Sequence, residues 1–285
     1  MQAVPPLQRL REARRLRRRM RAALGYEPNF NRPRTFNEKV AWRILHDRNP
    51  LIALTTDKLA VRRYVAAKAS PDILVPLLGT WDRAEAIDWA ALPPRFVLKA
   101  SHGWNMNLLV HDKAAVDRDA ALATAAGWLR HNHAAATGEW GYRDIQPRLL
   151  AETMLLDEAG EIPADLKFYV FNGRMRLLRV HTGRFGDHRI TFFDRAMHPL
   201  PVNQIHPADP DWSPPPGITE AMRLAERLGA DFDFARVDLY LALGRFWFGE
   251  ITHYDGNATV AYEPCSYDRI IGDMWQLPGS AAREA

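Results

Sequence analysis

Two carboxylates near the C-terminal end of the chain have the spacing to do chemistry together. Asp238 sits in Ala235-Arg236-Val237-Asp238-Leu239-Tyr240, and Glu250 in Phe246-Trp247-Phe248-Gly249-Glu250-Ile251-Thr252. Each is a single acid set into a short apolar run. The connector Leu241-Ala242-Leu243-Gly244-Arg245 holds one turn-forming glycine, so the runs predict an antiparallel hairpin. On neighbouring strands both acids can project to one side. Close carboxylates on a sheet repel each other and lose hydration. A hard cation such as Mg²⁺ relieves both problems and keeps waters and substrate phosphates as its other ligands. A surface hairpin with two solvated acids fits the same pattern, so the hairpin alone leaves both readings open.

A second candidate lies upstream. Pro94-Arg95-Phe96-Val97-Leu98-Lys99-Ala100-Ser101-His102-Gly103 is an apolar strand that ends in a lysine and a glycine-containing loop. Lysine there can act as a point charge on a phosphate. The loop Trp104-Asn105-Met106-Asn107 leads into another apolar run, Leu108-Leu109-Val110. Such a strand–loop–strand unit can close over phosphates with its backbone N–H groups. A solvated lysine is the plainer reading of Lys99 alone; Lys99, Asp238 and Glu250 in that order is a more specific signal.

In that order the sequence resembles the ATP-grasp superfamily, and most closely its TupA-like branch, which is linked to teichuronopeptide and cell-surface polysaccharide synthesis. The resemblance runs through Phe36-Asn37-Glu38-Lys39-Val40-Ala41-Trp42, Thr56-Asp57-Lys58-Leu59-Ala60-Val61-Arg62 and Val75-Pro76-Leu77-Leu78-Gly79-Thr80-Trp81-Asp82. It continues through Phe96 to Gly103, Arg148-Leu149-Leu150-Ala151-Glu152 and Asp165-Leu166-Lys167-Phe168-Tyr169-Val170-Phe171-Asn172-Gly173. It ends with Arg184-Phe185-Gly186-Asp187-His188-Arg189 and the two acidic segments. No one stretch is specific; their joint order from about Phe36 to about Asp268 is.

The resemblance implies an α+β, ATP-grasp fold with mostly antiparallel sheets and packed helices, the nucleotide bound between two α+β subdomains. It implies ATP and Mg²⁺ as cofactors. Lys99, with His102 and Gly103, resembles the phosphate-contacting strand and loop. Glu152 resembles the end of the adenine hinge, and Lys167 a second nucleotide-side lysine. Asp238 and Glu250 resemble the Mg²⁺ ligands, and Arg236 and Lys167 the catalytic cations. Two departures stand out. Thr252 occupies a position where many relatives carry asparagine. The phosphate loop is poorer in glycine, with Asn105 suited to a left-handed turn and the bulky Trp104 beside it.

The elements that must position these residues follow from pattern. Residues 1–30 read as a basic helical arm, 31–110 as helices plus the lysine strand and phosphate loop, and 111–285 as the hinge, acceptor loop and metal-binding hairpin. Phe36 to about Ala69 predicts two helices, the first with Thr35 and Glu38 as a capping box. Lys113 to His133 predicts an Ala-rich helix, and Asn172-Gly173 a hairpin turn. Residues 198–217 hold seven prolines and read as irregular. Thr219 to Gly229 predicts a helix stopped by glycine.

Composition matches a globular chain, with 47% hydrophobic and 25% charged residues. No apolar run approaches the roughly 18 residues of a membrane span. The first residues lack the apolar core of a signal peptide. One cysteine, Cys265, excludes an internal disulfide and reads as incidental. These features point to the cytoplasm. Residues 9–21 hold eight arginines against one acid, Glu12. With an apolar stripe at Leu7, Leu10, Leu16, Met20, Ala23 and Leu24, this helix can pack on its own domain, meet a partner or lie on the inner face of a membrane. It lacks interleaved aromatics, so nucleic acid is not expected.

Arg179, His181, Arg184, His188 and Arg189 fall within eleven residues and suit an acidic sugar or glycan-linked acceptor, with Arg184, His188 and Arg189 as its contacts. A charged surface loop is the plainer reading; zinc finds no third ligand there. Glu139, Trp140 and Tyr142 suit either a sugar contact or the core, and His253 either the acceptor pocket or a polar loop. The expected activity is ATP-dependent carboxylate–amine ligation through an acylphosphate. A sugar phosphotransferase and a catalytically impaired glycan-binding scaffold remain as alternatives.

Overall fold

The computed structural model describes residues 6–278 and resolves into two compact units, each built around its own sheet. Of the described residues, the first unit holds those through Arg48, Ala164–Leu239 and 251–278; the second holds Asn49–Pro163 and Tyr240–Glu250. In chain order, helices α1 (Pro6–Leu24), α2 (Phe36–His46), α3 (Pro50–Thr56) and α4 (Val61–Lys68) come first. Strands β1 (Leu77–Trp81), β2 (Phe96–Ala100) and β3 (Asn107–Val110) follow, then α5 (Arg118–Leu129), α6 (His133–Thr137) and β4 (Leu149–Thr153). Next are β5 (Asp165–Phe171), β6 (Arg174–Thr182), β7 (Arg189–Asp194) and α7 (Ile218–Gly229). Strands β8 (Phe234–Ala242) and β9 (Arg245–Thr252) and helix α8 (Ser266–Asp273) close the described chain.

In the second unit four strands pair in the order β1-β4-β2-β3, every pair antiparallel. The two-residue side-chain period divides β2 and β4 cleanly. Phe96, Leu98, Ala100, Leu149 and Ala151 fill the core with Ala121 and Ala125 of α5. Val97 is opposite Glu152 and Lys99 opposite Leu150, so Lys99 and Glu152 share the other face. A smaller cluster of Val75, Ala242 and Trp247 holds the tip of the β8–β9 hairpin in this unit. That tip turns at Leu243-Gly244, both at positive φ (54° and 70°), as a two-residue type I′ turn requires.

The sheet of the first unit has the order β7-β6-β5-β8-β9. All seven residues of β5 are buried, because both faces are covered. On one side α7 comes so close that a Cβ on Gly229 would lie 2.8 Å from the Val170 side chain. On the other, Phe36 of α2 meets Tyr169, Phe171 and Phe234 at ring-centroid distances of 5.9, 6.3 and 5.2 Å. The hairpin turn expected at Asn172-Gly173 is present, with φ 48° and 77°.

The capping box of α2 is formed as expected, Thr35 and Glu38 exchanging side-chain and backbone bonds. The stretch 36–69 contains three helices, not two. The Asn49 side chain accepts from Leu51 N at 3.0 Å with Pro50 in the first turn, starting a separate α3. The Ala-rich stretch likewise starts late, at the Asp117 cap, and restarts as α6 at the Asn132 cap. Lys113 instead donates its ammonium to the carbonyls of Trp89, Ala90 and Leu92. Trp140 and Glu139 are buried core residues, and half-buried Tyr142 packs on the His133 ring at a centroid distance of 4.4 Å. Helix α1 packs within the first unit through Leu16 and Met20, whereas Leu10 is 56% exposed and outside that contact. No described helix is long and apolar enough to cross a membrane.

Arg43 of α2 is fully buried. It donates to Asp233 and to the Phe234 carbonyl, and its guanidinium lies 4.6 Å from the centroid of the Trp275 ring. Removing one partner of a buried ion pair strands the other charge. Arg43→Ala is therefore expected to lower unfolding free energy by about 3–5 kcal/mol, read from urea denaturation of the two proteins.

Candidate active-site residues

Alternation along β5, β6 and β8 sends Asp165, Lys167, Tyr169, Arg179, His181, Arg236 and Asp238 to one face of the first unit's sheet, the face whose other end is the aromatic patch under α2. Lys167 and Arg179 are directly opposite in the β5–β6 ladder, as are Asp165 and His181. Asp238 is the centre of the cluster, 1% exposed. Arg236 Nε donates to its Oδ1 at 2.7 Å, Arg236 Nη2 to its Oδ2 at 2.7 Å, and Lys167 Nζ to Oδ2 at 2.6 Å. Burial alone would raise the Asp238 pKa; Arg236 and Lys167 outweigh it and hold the carboxyl below its usual range.

The other side of Arg236 meets Asp255, which also accepts from Arg179 Nη2 at 3.0 Å and from the Tyr169 hydroxyl at 2.6 Å. Asp255 comes from the loop after β9. Gly256 follows it at φ 54°, and a Cβ there would lie 2.0 Å from Val260, so this sharp turn needs glycine. Burial opposes ionisation of Asp255 as well, and Arg179 and Arg236 overcome it and push the carboxyl low. By sequence Asp255 suits either the acceptor pocket or a polar loop, and Arg179 the cationic acceptor loop. Both belong to the buried network. Their signal was the turn chemistry of Asp255-Gly256-Asn257 and the strand placement of Arg179.

In the second unit, Glu152 is bracketed. Lys99 Nζ donates to its Oε2 at 2.6 Å and Arg62 Nη1 to its Oε1 at 3.0 Å. Lys58 donates its ammonium to Gly103 O, while its backbone N–H reaches Ser101 O at 3.1 Å. Burial pushes the Lys58 pKa down; Glu250 opposes that shift and Lys99 adds to it. Lys58, Lys99, Glu152 and Glu250 therefore share one electrostatic neighbourhood. Lys58 and Arg62 were missed as site residues, although both lie in the segment Thr56 to Arg62. The loop packs closely at Gly103, where a Cβ would lie 2.7 Å from the His133 ring. Asn105 takes the left-handed conformation expected of it, at φ 56°. Trp104 is 45% exposed.

Other expected contacts fall differently. His102 is buried, with Nε2 3.0 Å from the Trp128 carbonyl, and anchors its loop to the end of α5. His253 is 1% exposed, packed on Phe232 at a centroid distance of 4.6 Å, a core position with no acceptor surface; burial and Arg43 push its pKa well down. Arg184 is exposed and donates to Asp165 at 2.6 Å, and Arg189 pairs with Asp187 at 2.8 Å. His188 Nε2 lies 3.0 Å from His181 Nδ1, and its ring meets that of His206 in a tilted contact with centroids 3.9 Å apart. Burial, reinforced by Arg179, Lys167 and Arg236, keeps His181 neutral. Exposed Phe185 and Ile205 border these loops.

Carboxylate oxygens are hard donors, and among the described residues no group of three or more histidines, cysteines or acids could hold a metal ion. Asp238 accepts three bonds from its two partners, and a carboxylate offers about four acceptor sites. In the second unit Glu250 is a separate, half-buried carboxylate. Thr252 Oγ1 accepts from Arg236 Nη2 at 2.9 Å. The described first-unit cluster holds four cations (Lys167, Arg179, Arg184, Arg236) against three acids (Asp165, Asp238, Asp255). That excess of positive charge favours an anionic ligand on this face.

Residues 38–276 match the family described as TupA-like ATPgrasp. No curated protein matches. Similar solved structures include D-alanine–D-alanine ligase from Bacillus anthracis, at 13% identity and TM-score 0.45, covering 78% of this chain and 66% of that one. The ATP-grasp ligase PsnB complexed with a minimal precursor gives 12% identity and TM-score 0.42, covering 79% and 62%. N5-carboxyaminoimidazole ribonucleotide synthetase from Thermus thermophilus gives 14% identity and TM-score 0.40, covering 70% and 45%. The chain thus spans less than two thirds of the length of each of these proteins.

The two depressed acids make stability depend on pH. A carboxyl with a folded-state pKa below its unfolded value of about 4 stabilises fully above that value. The contribution fades as pH falls toward the lower folded-state value. Asp255→Asn should therefore be clearly less stable than wild type at neutral pH, with the gap narrowing as pH falls below about 4. Thermal unfolding across that range measures it; a gap independent of pH would assign the loss to packing.

Proposed function

The chain belongs to the TupA-like ATP-grasp family, and from that premise we propose that it is an ATP- and Mg²⁺-dependent ligase joining a carboxylate to an amine. The observation that carries this reading is the buried line Lys167–Asp238–Arg236, two cations fixed on one acid of one sheet face. Fixed charges of this kind stabilise developing negative charge with little reorganisation.

In the second unit Lys99 and Lys58 are the point charges for nucleotide phosphates. Glu152 orients Lys99, and Gly103 shapes the covering loop that Lys58 and His102 hold in place. Asp238 and Glu250 would hold Mg²⁺, which when bound neutralises phosphate oxygens. An acceptor carboxylate oxygen bonds to the γ-phosphorus as the bridging P–O bond to ADP breaks. The amine then attacks the acyl carbon of this acylphosphate, phosphate leaves with the C–O bond electrons, and the amine proton passes to solvent. Lys167 and Arg236 face the charge that develops. Catalysis rests on positioning and electrostatics, without a protein nucleophile. The family resemblance and the loop carrying Arg184, His188 and Arg189 support an acidic sugar or glycan-linked acceptor, used in cell-surface polysaccharide synthesis from the cytoplasm.

Calorimetry with ATP, with and without Mg²⁺, tests the assignment. Wild type is expected to bind in a Mg²⁺-dependent manner. Asp238→Asn, Glu250→Gln and Lys99→Met should each weaken binding roughly tenfold or more, since each removes a charged partner, with circular dichroism unchanged. A wild type that binds no ATP under either condition would overturn the reading.

A further inference from the structure

The arginines of α1 are not equivalent once the helix is docked. At about 100° per residue, Leu16 and Met20 point the same way, and both are buried in the first unit. Neighbouring arginines are tied down beside that contact. Arg17 lies 5.2 Å from the Phe30 ring centroid, and Arg17 and Arg21 pair with Glu27 at 3.1 and 3.2 Å. Arg19 donates to the Asn257 carbonyl at 3.0 Å. Arg11, Arg14 and Arg18 fall on the opposite side of the helix. All three are exposed, and none pairs with an acid among the described residues. They form a row about 10 Å long. Leu10, 56% exposed, flanks the start of the row on its outer side.

We propose that this outer face of α1 is a docking surface for an anionic phospholipid bilayer. The charge is complementary: guanidinium groups bind phosphate oxygens bidentately, and a bilayer presents phosphates in a plane that a straight row can meet at several points. The helix is already held by its inner face, so the row is pre-set and little ordering is needed on contact. Leu10 supplies an apolar side chain at the level of the headgroups, while the arginine stems keep their charged ends at the phosphates. Sequence-specific reading of a nucleic-acid groove needs polar side chains on base edges, and the row has none; phosphate contact to nucleic acid without sequence preference is an outcome of the test below. Contact is peripheral and reversible, since three charges and one leucine do not anchor a protein permanently.

The test uses the full chain and sedimentation with vesicles of mixed phosphatidylglycerol and phosphatidylcholine, or of phosphatidylcholine alone. Wild type is expected to sediment with the anionic vesicles at low salt, to be released by high salt, and to ignore the neutral ones. The triple variant Arg11→Glu/Arg14→Glu/Arg18→Glu should lose at least about tenfold in partitioning and keep its thermal midpoint, because the three side chains face outward. If that variant does not fold, the neutral triple glutamine variant gives the same comparison. Equal partitioning to both vesicle types overturns the proposal, as does a variant that binds like wild type. So does a wild type that binds duplex DNA or an acidic polypeptide but no vesicle. None of these outcomes bears on ATP binding.

Discussion

Arg236 is a permanently charged side chain, only 7% exposed, on a central strand. A guanidinium cannot shed its proton to escape burial, so the fold must surround it with acceptors or not form. It does so with Asp238 on the same strand, Asp255 from the following loop and Thr252 on β9. Those acids in turn call in Lys167, Arg179 and the Tyr169 hydroxyl. Most of the polar arrangement in the first unit is the consequence of placing this one cation inside. Such a network is weak evidence for stability in itself; its value lies in holding charged groups to one geometry.

The same sheet face carries two kinds of surface. Where α2 covers it, Phe36, Tyr169, Phe171 and Phe234 form an aromatic cluster. Two residues further along each strand the side chains become ionic. Tyr169 belongs to both: its ring faces Phe36, and its hydroxyl donates to Asp255. The apolar half excludes water from the ionic half and strengthens its interactions through the lower local dielectric. Stability and candidate chemistry are therefore adjacent on the same three strands.

The second unit solves a smaller version of the problem. Its sheet buries one face against α5 and leaves Lys99 and Glu152 on the other, where Arg62 and Lys58 join them from the α3–α4 region. Lys58 binds Ser101 and Gly103 at the two ends of the same turn, so the loop after β2 is set by a residue more than forty positions away in the chain.

The local pattern was sufficient for much of this. Short apolar runs predicted the strands bearing Lys99, Asp238 and Glu250, and the family resemblance placed Lys167 on another; Asn172-Gly173 and the glycine after Leu243 predicted turns; Thr35 and Glu38 predicted a helix start; and the order of motifs indicated the family. These are contacts within a few residues, where side-chain period and turn chemistry decide. What the linear pattern did not show was partnership. It left His253 between an acceptor pocket and a polar loop, whereas that side chain is buried, and it left Glu139 and Trp140 between a sugar contact and the core, of which burial selects the core. It placed Arg179 with an acceptor loop, whereas Arg179 pairs with buried Asp255, and it gave Lys58 and Arg62 no role. Burial depends on which elements pack together, and a charge acquires its partner from segments distant in the chain. The sequence alone determined which residues could carry charge on a given strand face; only the tertiary structure decided which of those charges lost their water and therefore had to find one another.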